Sequence, residues 1–294
     1  MGINIRLRPE QRVDRRPSRV AYALPSLFTA GNIFLGFLAI LKAFEGAIAA
    51  KGGHLGPNPA FEAAAKAIGS AVVLDGLDGR IARMTNTVSD FGREMDSLAD
   101  AITFGLAPAI LAYAWGILFV DPTGNPFLQD HLLRLGVFLS FMFLICGVAR
   151  LARFNVQVNP VPKNPGRPDR KYFVGLPIPA AAGCVCAIIY ASDSSPIIAW
   201  PLAVCWLAVL GLLAFLMVST WRYYSFKDLN LLRPRSPISF VLVAGFIYLI
   251  WNYSQPVLLA ISVAYVGAGI AIRIGGIVRR LLRRPPPPVS QTSE

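Results

Sequence analysis

The sequence predicts an all-α polytopic transmembrane bundle of about eight spans with both termini in the cytoplasm, and three observations carry that prediction. The 294 residues are 55% hydrophobic and 15% charged, a balance that belongs to membrane proteins rather than to soluble cores. The apolar residues fall in eight blocks, 25–44, 61–80, 91–120, 132–153, 175–191, 196–221, 237–253 and 256–282, against the roughly 20 residues that a helix needs to cross a bilayer. The 28 Lys and Arg residues sort by connection, and only Lys42, Lys51, Lys66 and Arg134 fall outside the N-terminal arm, the even-numbered connections and the C-terminal end. Cytoplasmic loops carry such an excess, and an even number of spans returns the chain to the side where it began.

Residues 1–24 form a basic arm with Arg6, Arg8, Arg12, Arg15, Arg16 and Arg19. It suits a juxtamembrane helix on an anionic leaflet, and a plain topology determinant accounts for it equally well. A cleaved leader is not expected, because the apolar block begins only near Pro25 and no small-residue cleavage site is evident. The first block places Asn32 in an otherwise apolar helix. The second and third blocks are joined by the short connection 83–92, which makes them antiparallel neighbours. After the fourth block comes the long, basic, proline-bearing connection 156–174, a cytoplasmic loop with room for function. The membrane domain is expected over 25–284, and the tail 285–294, PPPPVSQTSE, cannot build a core and is expected to be disordered.

Several function classes drop out. Cys146, Cys184, Cys186 and Cys205 all lie inside apolar blocks, where they act as small hydrophobes, so neither a disulfide framework nor a zinc site is implied. The net charge of +12 is accounted for by loop topology and anionic lipid surfaces, without nucleic acid as a partner. No internal repeat suggests a transporter's inverted halves.

The chemistry lies in VLDGLDGRIARMTNTVSDFGREMDSLADAITFG, residues 73–105. A charge within a membrane helix costs about 2.5–3.5 kcal/mol on insertion scales, so such residues usually face a functional cavity. Asp75 and Asp78 are three apart near the end of the second helix, and Asp96 and Asp100 are four apart near the start of the third. Each pair shares a helix face, and the short connection lets the pairs converge from opposite walls. Four carboxylates in a low dielectric would force one another to protonate. Two divalent cations neutralise them, and an oxygen-only ligand set favours Mg²⁺ or Mn²⁺ over zinc. Gly79, Ala82 and Gly92 leave space for close helix approach and for a nucleotide or diphosphate. Arg83, near the membrane surface, suits a phosphate and serves equally as a positive anchor. An ion or proton pathway is the competing class, but the acids cluster at one face and no matching polar path crosses the rest of the bundle.

This stretch resembles the signature of the CDP-alcohol phosphotransferase family, DxxDGxxARx(8)GxxxDxxxD. Asp75, Asp78, Gly79, Ala82, Arg83, Gly92, Asp96 and Asp100 fill every fixed position, with residues 84–91 as the spacer. PSLFTAGNIFLGFLAI (25–40), DSLADAITFGLAPA (96–109), ARLARFN (149–155) and GLPIPAAAG (175–183) are similar to the phosphatidylserine synthase branch of that family. The resemblance implies transfer of a phosphatidyl group from CDP-diacylglycerol to L-serine with release of CMP, in the cytoplasmic membrane, by a homodimer. It implies metal ligation by Asp75, Asp78, Asp96 and Asp100, with Asp100 also the base for the acceptor hydroxyl. Gly79, Ala82, Arg83 and Ser89 would then line the CDP-diacylglycerol site. Asn32 is a further donor-site candidate, with a helix–helix hydrogen bond as its other explanation. Arg150, Arg153 and Lys171 are the cations available for a serine carboxylate, and charge topology explains them as well. Other acceptors, glycerol 3-phosphate, inositol phosphate or choline, would use the same chemistry.

Overall fold

A computed structural model of the chain describes residues 19–85, 90–122, 124–158, 172–224 and 237–282. Helix α1 (Arg19–Lys51) begins six residues before Pro25 and is followed by α2 (Pro59–Thr85). The third apolar block is subdivided into α3 (Asp90–Asp100), a π-helical segment (Ala101–Leu106) and α4 (Ala107–Gly116). Then come α5 (Pro126–Val158), α6 (Ile178–Ala191), α7 (Trp200–Val218), α8 (Pro237–Asn252) and α9 (Ser254–Leu282).

Among the described residues, five stretches are long and apolar enough to cross a membrane: Leu27–Lys51, Phe91–Gly116, Pro126–Val156, Trp200–Val218 and Ser254–Gly276. The protein is therefore a multi-pass membrane protein. Helices α6 and α8 have 14 and 16 residues, fewer than the roughly 20 of a full crossing. Helix α2 carries Glu62, Lys66 and Asp75 along its length. Beside the helices lie two short strands, β1 (Tyr172–Val174) and β2 (Arg222–Tyr224), which pair antiparallel with Phe173 opposite Tyr223. β1 is Tyr-Phe-Val and β2 is Arg-Tyr-Tyr, aromatic-rich segments just outside helix ends, where extended backbone suits them.

Packing is inside-out relative to a soluble bundle. On α1 the large side chains Phe34, Phe37, Leu41, Phe44 and Ile48 point outward, while Ala39, Ala43 and Ala50 are buried. Lipid tails solvate large apolar groups as well as a protein core does, so helices associate instead through small residues that permit close approach. At Gly36 an added Cβ would stand 2.6 Å from Thr103 Oγ1 and 2.9 Å from Thr103 Cα. That contact presses α1 directly against the π-helical segment.

The connections sort into two ends. At one end β1 and β2 pair, and the Gly175 and Leu176 amides donate to the carbonyls of Trp221 (2.8 Å) and Leu216 (3.0 Å). At the other end Asp121 N donates to Ile198 O at 2.9 Å, and Gln255 Nε2 donates to Asp193 Oδ1 at 3.0 Å. Three of the four basic residues outside the main basic set have a carboxylate one helical turn away: Lys42 pairs with Glu45 (2.6 Å), Lys66 with Glu62 (2.5 Å) and Arg134 with Asp130 (2.8 Å). Such exposed pairs add only about 0.3–0.5 kcal/mol each. Their main consequence is to cancel positive charge, which sharpens the asymmetry seen in the sequence.

Candidate active site

The last described turns of α2 and the start of α3 bring Asp75, Asp96 and Asp100 together, with one carboxylate oxygen of each within 4.8 Å of the others. Asp75 and Asp96 are half-buried, and Asp100 is buried at 9% exposure. Asp96 and Asp100 reach the same point because they are one turn apart on α3. Directly after Asp100 the helix widens into the π turn, closed by Ala107 N donating to Ile102 O. A π bulge resets the helical phase, so α4 can present its own face to the bundle independently of the acids.

This donor set fits a hard divalent cation: the ligands are oxygens only, they converge from two helices, and without a counter-charge they would repel one another. Asp78, Gly79, Ala82 and Arg83 stand on the following turns of α2, and their side chains lie outside the described residues. Ser89 and Lys171 also lie outside them.

Helix α1 borders the carboxylates. Gly31 faces the Leu74 side chain, next to Asp75, with an added Cβ 3.3 Å away. The Asn32 carbonyl accepts a 3.0 Å hydrogen bond from Thr103 Oγ1, one turn past Asp100. The Asn32 side chain is fully buried, yet neither its Nδ2 nor its Oδ1 has a hydrogen-bond partner among the described residues. Among the described residues, no side-chain hydrogen bond between helices engages it. Leaving such a group unsatisfied costs about 1–3 kcal/mol, a cost that a bound polar ligand would remove.

The far end of α5 forms the next wall. Asn155 Nδ2 donates to Ser97 Oγ at 2.9 Å, and Ser97 Oγ donates to Arg93 O at 3.1 Å, which buttresses α3 beside Asp96. The two arginines considered together in the sequence have different roles. Arg153 donates to Val218 O (3.2 Å) and Val174 O (3.4 Å), tying α5 to the end of α7 and to β1. Arg150, one turn earlier, interacts electrostatically with Asp100 and with Tyr265 of α9. Its Nε is buried and makes no hydrogen bond among the described residues. Tyr265 packs against Tyr223 of β2, with ring centroids 5.8 Å apart. Tyr223 is 1% exposed, and burial pushes its phenol up to about 12.

The sequence pattern does not mark Asn155, Ser97, Tyr223 or Tyr265 as site residues. Asn155 lies inside ARLARFN, where the two arginines dominate the pattern. The tyrosines flank helix ends or interrupt an apolar block, the places where aromatic side chains also serve as interfacial anchors.

The model of the CDP-alcohol phosphatidyltransferase family matches residues 22–212. The chain is 36% identical to the CDP-diacylglycerol–serine O-phosphatidyltransferase of Helicobacter pylori over 214 residues, covering 73% of this chain and 77% of the relative. It is 33% identical to the Bacillus subtilis protein of the same name over 204 residues, covering 69% and 91% of the two chains. An archaetidylserine synthase of Methanothermobacter thermautotrophicus is 34% identical over 162 residues, covering 54% of each chain.

Proposed function

The chain belongs to the CDP-alcohol phosphatidyltransferase family, and on that premise we propose that it is a membrane-bound transferase moving the phosphatidyl group of CDP-diacylglycerol to L-serine. The products are phosphatidylserine and CMP. The observation that carries this reading is the convergence of Asp75, Asp96 and Asp100 to within 4.8 Å at the end of the bundle where β1 and β2 pair. Asp78 belongs to the same ligand set by its motif position. Two Mg²⁺ or Mn²⁺ ions are the proposed cofactors. When bound they would neutralise the diphosphate and stabilise the CMP leaving group.

The chain's own residues have separable tasks. Gly79, Ala82, Arg83 and Ser89 are assigned to CDP-diacylglycerol by motif position, and the buried amide of Asn32 supports its place on the donor side. Asp100 accepts the proton of the serine hydroxyl. An ordinary aspartate has a pKa near 3.9, too low to hold the proton of a free alkoxide, so the proton moves as the new bond forms. The serine oxygen bonds to the phosphorus that carries diacylglycerol, the bridging oxygen–phosphorus bond breaks, and CMP departs with that oxygen. The electrostatic interaction of Arg150 with Asp100 supports a role for Arg150 in holding the serine carboxylate. Arg153 and Lys171 remain secondary candidates for that contact.

Eight crossings with both termini cytoplasmic, in the cell's inner membrane, fit the alternation of helices and the charge asymmetry between the two ends. The catalytic domain is assigned to 25–284, flanked by the basic arm 1–24 and the tail 285–294. A homodimer rests on the family resemblance. The test of the reading is CMP release by purified protein supplied with CDP-diacylglycerol, Mg²⁺ or Mn²⁺, and a panel of acceptors. Serine-dependent release is expected, whereas release driven by glycerol 3-phosphate, inositol phosphate or choline alone would reassign the acceptor.

A further inference from the structure

The family match ends at residue 212, yet the elements that close the site beyond Arg150 come after it. Strand β2 is docked at this end of the bundle by its pairing with β1 and by Arg153, which bonds the carbonyls of Val174 and Val218 one turn from Arg150. Tyr223 of β2 is buried, and its hydroxyl has no hydrogen-bond partner among the described residues. Its position is fixed by α9: a Cβ added at Gly269 would clash with the Tyr223 ring, so only glycine admits the ring there. Tyr265, one turn earlier on α9, packs tilted against the same ring with centroids 5.8 Å apart and interacts with Arg150.

Two buried hydrogen-bond donors, Arg150 Nε and Tyr223 Oη, thus have no hydrogen-bond partner among the described residues. Each such orphan costs about 1–3 kcal/mol, more where the group is charged. A ligand bearing an anionic oxygen removes both costs at once. An apolar ligand removes neither, and a purely cationic one cannot satisfy the Arg150 donor.

We propose that β2 and α9 form the acceptor-selecting wall of the site: the Tyr223 hydroxyl binds the carboxylate of a small amino-acid alcohol together with Arg150, and Tyr265 positions the Arg150 guanidinium beside Asp100. This rests on the proposed function and adds the residues that choose the acceptor. Tyr223 and Tyr265 act on binding and orientation, and the proton and phosphoryl steps stay with Asp100 and the other carboxylates.

The test is steady-state kinetics of the full chain carrying Tyr223→Phe or Tyr265→Phe, with L-serine and CDP-diacylglycerol varied separately. Phenylalanine keeps the ring and its packing, so the fold is preserved while the hydroxyl is lost. We expect the serine KM to rise about tenfold in each variant, the effect of one lost hydrogen bond to a charged group, with the CDP-diacylglycerol KM within twofold of the parent. Gly269→Ala, which displaces the Tyr223 ring, is expected to raise the serine KM in the same selective way. Serine KM values within twofold of the parent in both phenylalanine variants would overturn the proposal. So would equal increases in both KM values, which would mark the tyrosines as general supports of the fold. Parallel assays with glycerol 3-phosphate separate this outcome from a wrong acceptor: an unmutated protein inactive with serine and active with glycerol 3-phosphate refutes the serine reading itself.

Discussion

Asp75, Asp96 and Asp100 come from two helices joined by a short connection, whereas Arg150, Tyr223 and Tyr265 come from three elements spread through the second half of the chain. The second group reaches the first through Arg150, which interacts electrostatically with Asp100, and the two are held in place differently. The carboxylates are set by one-turn spacing on α3 and by the approach of α2, so their geometry is local. The opposite wall depends on long-range packing: Arg153 pinning β1 and α7, the β1–β2 ladder, and the tight seat of Tyr223 against Gly269. A local cluster carries chemistry common to a whole family. A wall assembled from distant elements can change with the acceptor while the chemistry stays fixed.

The sharpest way to break this comparison is at the carboxylates. Asp100→Asn should lower turnover by about 10³-fold or more, since it removes both a proton acceptor and an anionic ligand. CDP-diacylglycerol binding, followed by equilibrium dialysis with a short-chain donor, should persist. On the other wall, Arg150→Ala should raise the serine KM by roughly 10- to 100-fold, the range for a lost charge-assisted hydrogen bond of about 1.5–3 kcal/mol. Arg153→Ala should instead lower the thermal midpoint in detergent, with a smaller KM effect, because its donors bind backbone carbonyls. If Arg153→Ala raised the serine KM as much as Arg150→Ala, the distinction between the two arginines would be lost.

Smaller effects test the supports. Asn155→Ala removes the 2.9 Å bond to Ser97 beside Asp96, and a loss of about 1 kcal/mol there should cut kcat/KM by roughly fivefold. A titration of metal dependence should show a matching shift toward higher Mg²⁺. Lys66→Met, at the end remote from the carboxylates, should change activity by less than twofold, since its pairing with Glu62 is exposed and on one helix.

The two walls also differ in how far they can be read from the sequence. The acid spacing at 75, 78, 96 and 100 specifies shared helix faces, and the short connection specifies antiparallel neighbours, so the convergence of Asp75, Asp96 and Asp100 follows from local geometry. The order of the apolar blocks likewise anticipates the order of the helices. The π turn after Asp100 had no local signal, because AITFGL is compatible with an ordinary helix and the widening depends on tertiary packing. The β1–β2 ladder pairs residues about 50 positions apart, and each strand is too short to show an alternating pattern. Arg150 and Arg153 share a charge, a helix end and a motif. Only the carbonyls of Val174 and Val218, brought in by the fold, separate the clamp from the residue that interacts electrostatically with Asp100.

The central claim is that a carboxylate-bound divalent cation drives phosphatidyl transfer at Asp75, Asp96 and Asp100. Its most direct test is the rate of CMP formation from CDP-diacylglycerol and L-serine as Mg²⁺ is titrated into chelator-treated protein, unmutated and carrying Asp100→Asn, with donor binding measured on the same samples. The account predicts no CMP without metal, saturable activity on adding it, and a variant that binds donor but stays near background. Metal-independent CMP formation, or an Asp100→Asn rate within tenfold of the parent, would contradict it.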